Sequence, residues 1–303
     1  MPQERLAQLP SRFSETGLYQ DRNVGRLATT VRAYRPRFEL FSDGATKRRW
    51  VALPGPSIDT RDPDDWQFPS GTKFWKEFAY DGKRVETRLL QKVGIASDAW
   101  VAAAYVWLPD GSDALLSPEG RDNAGGTTHR VPAASECFAC HGGTISRVLG
   151  FSAIQLSGSD ERESELSLQT LRREGALSDP PLRDPSIPGD AVSVEALGYL
   201  HANCGHCHNL HRPPRSGARC FDPQRQFDLS LRTDGLGTLT EVAAYRSTLD
   251  GIIVPGDPEH SELYRRMDSG SIFLCRMPPL ATQSRDDAAL ARLRHWIAEL
   301  PRR

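Results

Sequence analysis

Methionine is scarce in this chain, three in 303 residues, so any role that needs a thioether falls on Met1, Met267 or Met277. Long apolar runs are missing too. The longest, Ala99 to Leu108, is ten residues and stops at Pro109, against about 20 needed to span a bilayer, which excludes a transmembrane helix. Residues 1–22 mix charges with isolated apolar side chains and contain no signal-peptide core, so the chain is either cytoplasmic or exported with its signal trimmed away. Charge of one sign is not in excess: 38 Lys and Arg face 39 Asp and Glu, a net charge of −1, and no whole-protein field favours nucleic acid or anionic lipid. Paired carboxylates for acid–base work, a Ser-His-Asp order and a Gly-rich phosphate loop are also absent. What is present is a chain that should fold, with 38% hydrophobic residues beside 25 glycines, and a length suited to about two domains. Its 22 prolines make it turn-rich, with a core small for its length unless something else helps fill it.

The six cysteines point to what that is. They are Cys137, Cys140, Cys204, Cys207, Cys220 and Cys275, and the first four form Cys137-Phe-Ala-Cys140-His141 and Cys204-Gly-His-Cys207-His208. In Cys-x-x-Cys-His each thiol adds to one vinyl group of the same porphyrin, and the following imidazole reaches the iron from the same short turn. Two copies in one chain make coincidence a poor account. Zinc also uses Cys-x-x-Cys pairs, but usually pairs about 15–20 residues apart, whereas Cys140 and Cys204 are 64 apart. Zinc also leaves the His after each pair unexplained. A thioredoxin-like dithiol requires a βαβ context that neither unit has. The reading is two covalently attached c-type haems, with His141 and His208 as proximal ligands.

Residues 1–35 read as an irregular extension and 36–177 as a β-rich unit ending in the first motif. Strand patterns cover 49–53, 73–80, 84–93 and 99–108, with Asp81-Gly82 as a two-residue hairpin signal, predicting an antiparallel sheet. In the last run Val101, Ala103, Tyr105 and Trp107 share one face and Trp100, Ala102, Ala104 and Val106 the other, so both faces should be covered. Residues 178–190 hold four prolines and read as a linker. From there the pattern is helical. Ser193 is placed to cap a helix carrying Val194, Leu197, Leu200 and Cys204 on one side. Ser284 is placed to cap a terminal helix with the stripe Leu290, Leu293, Trp296, Ile297 and Leu300.

Helix, Cys-x-x-Cys-His, a long loop region, Arg276-Met277-Pro278-Pro279-Leu280 and a terminal amphipathic helix together resemble a class I cytochrome c domain over 191–303. That resemblance implies an α+β chain in which an all-α cytochrome c-like domain follows the sheet. It implies Met277 as axial ligand of the second haem, and Gly198 and Trp296 at the crossing of first and last helices. The stretch Ile253-Val-Pro-Gly-Asp-Pro-Glu-His-Ser-Glu-Leu-Tyr-Arg-Arg-Met267 and the stretch Phe41-Ser-Asp-Gly-Ala-Thr-Lys-Arg-Arg-Trp50 are similar to segments of secreted bacterial di-haem cytochromes of unassigned function. Covalent haem attachment in c-type cytochromes takes place outside the cytoplasm, which implies a periplasmic or cell-surface protein. In that oxidising compartment the two spare thiols, Cys220 and Cys275, are expected to pair. The bridge would be worth roughly 4 kcal/mol in the chain-entropy model.

Between His141 and residue 200 there is neither His nor Met, so the sixth ligand of the first haem is water or comes from His129, His201, His206, His211, His260 or Met267. His201, His206 and His211 also read simply as surface or propionate-facing side chains. A sheet ending in Cys-x-x-Cys-His resembles, weakly, the β-sheet cytochromes with a lysine–haem cross-link and their gas-binding relatives. That likeness implies Lys76, with Lys73 as rival, at the cross-linking position. Two functions follow as expectations. One is a di-haem electron carrier serving a redox protein partner, its Met277-ligated haem at high potential. The other is a redox enzyme for peroxide, hydroxylamine or nitric oxide at an open first haem, with the second as relay. Gas sensing is a minor third.

Overall fold

The strand patterns resolve into one sheet. In a computed structural model, which describes residues 3–55, 57–158, 165–210, 227–268, 276–279 and 282–302, six antiparallel strands follow chain order: β1 (Val31–Ala33), β2 (Thr46–Ala52), β3 (Lys73–Tyr80), β4 (Lys83–Lys92), β5 (Trp100–Trp107) and β6 (Ala114–Leu116). The turn between β3 and β4 needs two residues at positive φ, and Asp81 at 48° with Gly82 at 77° supply them. All eight residues of β5 are buried, because both faces of the sheet are covered. Leu9, Phe13, Leu18 and Tyr19 pack with Trp75, Leu89, Val101, Ala103, Tyr105 and Trp107 on one face. The short helices α3 (Ala153–Leu156) and α4 (Leu168–Arg173) pack with Val51, Phe74, Leu90, Trp100 and Ala102 on the other. The strand aromatics are therefore core.

The N-terminal stretch, which begins with the four-residue helix α1 (Gln3–Leu6), is irregular yet integral to the sheet. Ser14 donates through its amide (3.0 Å) and its hydroxyl (2.9 Å) to the Asp113 carboxylate, and Trp75 Nε1 donates to Thr16 Oγ1 at 3.1 Å. The proline-rich stretch forms no helix, and its beginning is tied to the loop before β3 by Thr60 Oγ1, which donates to Asp179 O at 2.8 Å.

Beyond residue 190 the described α-helices are α5 (Ala191–Leu200), α6 (Ala243–Leu249), α7 (Glu262–Asp268) and α8 (Asp287–Glu299). Both long ones begin one short step from where the capping signals put them. Asp190, not Ser193, caps α5 by accepting from the Ser193 amide at 2.8 Å, and Asp286, not Ser284, caps α8 by accepting from the Ala289 amide at 3.0 Å. In each case an acid just ahead of the helix, three residues before the amide it accepts from, outcompeted the serine. The terminal stripe is buried as its periodicity requires, with Leu290, Leu293, Trp296, Ile297 and Leu300 in one core with Leu197 and Leu200.

The expected fold class, a sheet domain followed by an all-α class I cytochrome c-like domain, is corrected by these elements. The molecule is an antiparallel six-stranded sheet with mostly short helices, and the part after residue 190 is not a clearly all-α cytochrome domain. The reason is that, among the described residues after 190, only α5 and α8 reach ten residues, and the described chain between them is mostly short helices, turns and irregular structure. The helices of Gly198 and Trp296 do pack together, but what crowds Gly198 most closely comes from elsewhere. A Cβ at Gly198 would lie 2.1 Å from Phe38 Cε1, so its missing side chain makes room for a residue preceding β2.

Phe13 is fully buried. Phe13→Ala should therefore cost about 3–5 kcal/mol by chemical denaturation. A loss below about 1 kcal/mol would mean that the N-terminal segment covers the sheet without contributing to its stability.

Candidate functional site

The first motif forms the one-turn helix α2 (Cys137–His141). Its entry is fixed by Glu136, whose carboxylate accepts from the Ala133 amide at 2.8 Å and from Arg130 Nη2 at 2.9 Å. His141 is oriented by the loop that follows. Its Nδ1 lies 2.7 Å from Arg147 O, and because a carbonyl only accepts, the proton sits on Nδ1 and Nε2 is the nitrogen left with a lone pair. Arg147 takes a left-handed φ of 61°, and the Asp65 carboxylate accepts from the Ile145 (3.1 Å) and Ser146 (2.7 Å) amides. A chain of support thus runs from the loop before β3 through residues 145–147 to the imidazole. Burial lowers the His141 pKa to about 4, so the ring is neutral at neutral pH.

The second motif leaves α5 through a π-type turn, His201–Gly205. Asn203 accounts for the widened turn. Its Nδ2 donates to Tyr199 O (3.0 Å) and Glu39 O (3.2 Å), and its Oδ1 accepts from the Phe41 amide at 2.7 Å. A side chain has been inserted into the helical ladder, a common setting for functional residues. Beyond it the His208 ring stacks on Phe227, centroids 4.4 Å apart.

The two turns meet. A Cβ on Gly143 would stand 1.7 Å from His206 O, so the loop after the first motif touches the backbone of the second. One ligand atom each from Cys140, His206 and Cys207 lies within 4.8 Å of the others. The Cys207 thiol donates to Cys140, which holds Cys140 well toward the thiolate and pushes Cys207 up. Cys137 and Cys204, the leading thiol of each motif, are pushed up by burial to about 11 and about 12. Both turns border a cavity of about 260 Å³, whose lining includes Cys137, Cys140, His141 and His206, apolar side chains such as Phe74 and Phe151, and Lys76 from the sheet.

Of the imidazoles and thioethers weighed as sixth ligand, His129 is engaged through both nitrogens, with Glu86 at 2.6 Å and Tyr80 at 3.2 Å. His260 is exposed beside Asp257, and Met267 is buried in the helical core. His201 lines the cavity with Nδ1 accepting from the Leu231 amide at 3.0 Å, which puts its proton on Nε2. His206 borders the cavity beside Cys140. His211, Cys220 and Cys275 lie outside the described residues, so the Cys220–Cys275 pairing does too. Met277 is half-buried, its amide donating to Arg266 O at 3.0 Å. Lys73 and Lys76 take opposite faces of β3: Lys73 donates to Thr16 O at 2.7 Å, and Lys76 faces the cavity.

Asp65, Arg147 and Asn203 position the motifs, and sequence reading did not find them. Nothing in their local pattern marks them, since each acts on a backbone brought near by the fold. No family model, curated protein or solved structure matches this chain. Among the described residues no helix is long and apolar enough to cross a membrane.

His201 supplies a test of this geometry. Burial lowers its pKa to about 4 from 6.5, so the unfolded chain binds its proton more readily, and the group loses stability for the fold as pH falls from 6.5 to 4. His201→Asn keeps an acceptor for the Leu231 amide without a titrating group. The fall in unfolding free energy between those pH values should shrink by up to roughly 3 kcal/mol. An unchanged acid profile would place His201 in water.

Proposed function

We propose that the protein is a di-haem c-type cytochrome, exported to the periplasm or cell surface, that passes electrons to or from a redox protein partner. The observation carrying this reading is the His141 arrangement: two thiols and an imidazole on one turn of helix border a cavity with apolar walls, and the imidazole is fixed through Nδ1 so that Nε2 keeps a lone pair for a ligand bond. These residues suit a covalently held porphyrin in donor chemistry. Cys137 and Cys140 would hold one haem with His141 as ligand. Cys204 and Cys207 would hold the other, with His208 and Met277 as ligands. Bound haem supplies one-electron chemistry, and thioether ligation raises the potential of the haem that Met277 serves. The protein's own part is to fix the imidazoles and exclude water, as Phe227 does by covering one face of His208.

The Cys140, His206 and Cys207 cluster favours a second reading, a bound metal ion such as zinc. It takes one thiol from each motif and leaves Cys137, Cys204, His141 and His208 without a role. A third reading, an oxidoreductase for a small molecule at an open first haem, is supported by the engagement of both His129 nitrogens and the burial of Met267 away from the cavity.

Expression with cytochrome maturation machinery separates them. Two covalent haems should survive acid–acetone extraction, with Cys137→Ala and Cys204→Ala each removing one. Zinc and no haem in the exported protein would overturn the cytochrome reading. In the loaded protein Met277→Ala should lower one midpoint potential, and unchanged potentials would make Met277 a packing residue. Carbon monoxide binding to one ferrous haem, followed by turnover of peroxide or hydroxylamine, would favour the enzyme over the carrier.

A further inference from the structure

The sheet face that borders the cavity carries a row of cations in register. Arg49 on β2 pairs with Lys76 on β3, and Lys76 pairs with Arg88 on β4, so the three side chains stand side by side across three strands. All three line the cavity. Directly opposed side chains in an antiparallel sheet have Cβ atoms about 4.5–5.5 Å apart, and like charges so placed destabilise it.

The outer two members have carboxylates. Arg49 Nη2 lies 3.3 Å from Glu39, which also takes Lys47 at 3.5 Å. Arg88 grips buried Glu86 through two bonds, at 2.7 and 3.0 Å, and His129 holds the same carboxylate at 2.6 Å. Lys76 has no hydrogen bond or ion pair among the described residues. Its Nζ stands 5.0 Å from the centre of the Phe78 ring, which Arg88 also covers at 4.4 Å.

The cavity's own acids do not answer it. Asp64 accepts from Thr233, Asp65 from the Ile145 and Ser146 amides, Glu136 from Arg130 and Ala133, and Asp228 from Ser230. Around the row, Arg49 and Lys47 share Glu39, Arg88 takes Glu86 and feels the Cys140 sulfur, and Asp286 acts on Lys47, while among the described residues no anion pairs with Lys76 itself. An ammonium with three donors at the centre of such a row is the recognition chemistry of an anion with several acceptor oxygens.

We propose that Arg49, Lys76 and Arg88 form a binding site for a small oxyanion, with the Lys76 ammonium as its central contact. The oxyanion comes either from solution, as a substrate or ligand of the sulfite or nitrite type, or as the carboxylate of a group bound in the cavity. The row itself stands on sheet register and does not require the cytochrome reading; only the second source rests on it.

The test uses the exported, matured protein, with its haem content measured on the same sample. Calorimetric titration with sulfite and with nitrite should show one site in the wild type. Binding should be at least tenfold weaker in Lys76→Met and unaltered in Lys73→Met, which changes the opposite face. In anion-free buffer Lys76→Met should also unfold at a higher temperature than the wild type, because it removes an uncompensated cation at little change in volume. Added sulfite should raise the wild-type midpoint and leave that of Lys76→Met unmoved. If neither probe gives heat but Lys76→Met alters the pH dependence of a haem midpoint potential, the site holds the cofactor's carboxylate. If neither probe binds and those pH profiles coincide, the proposal is overturned. A haem-free sample would count against the cytochrome reading, yet the titrations would still decide the row, and absence of heat there would overturn it.

Discussion

The contact of Phe38 with Gly198 is the constraint on which the candidate site depends. Phe38 is only partly buried, yet it packs on the helical core, and it reaches α5 only because that helix presents bare backbone: a Cβ at Gly198 would stand 2.1 Å from the ring. The contact brings the segment ahead of β2 onto the helix that leads into the second motif. Asn203 then secures the same junction, binding Glu39 O and Phe41 N on one side and Tyr199 O on the other. Two motifs 64 positions apart in sequence become neighbours across Gly143 and His206 as a consequence.

The cavity between them is built on two contrary electrostatic schemes. Around His141 the polar groups are matched: Asp65 meets two amides, Arg147 O meets Nδ1, and the ring is kept neutral by burial. A fixed neutral imidazole is what a metal ligand requires. On the facing sheet the matching stops at Lys76, between two arginines that have their own carboxylates. Lys76 is half-buried, and a polar group drawn partly out of water without a partner is costly, so such groups persist where a ligand or a mechanism uses them.

Local signals predicted local structure well. The period-two patterns placed β2 to β5 within a few residues, Asp81-Gly82 made its hairpin, and the stripe from Leu290 to Leu300 is buried. Both Cys-x-x-Cys-His units were legible because their spacing is contiguous. What was not legible came from distant partners. The fold class failed because resemblance supplied an all-α domain where the described chain after Asp190 has two longer helices, short ones and irregular segments. The caps moved from Ser193 and Ser284 to Asp190 and Asp286 because neighbouring acids compete for the same amides. Lys76 drew notice only through a family likeness, and Arg49 and Arg88 not at all, until register set the three side by side, since alternation tells which face a residue takes but not what stands beside it.

The strip from Phe38 to Trp50 connects all of these parts. Phe38 and Phe41 hold α5 and its π turn, and Asp43 accepts from the amides of Gln283 and Ser284, just beyond the Met277 loop and before α8. Arg49 ends the strip in the cation row. Glu39 joins both ends, because its carbonyl meets Asn203 while its carboxylate meets Lys47 and Arg49. Those cations keep the Glu39 pKa below its ordinary value although burial opposes ionisation. Ser284, freed from capping by Asp286, is available to Asp43, so the shift of one cap is what lets the strip reach the chain beside Met277. A helix capped at Ser284 would turn that hydroxyl to the helix's own amides, and Asp43 would lose one of the bonds by which the strip holds the chain before α8.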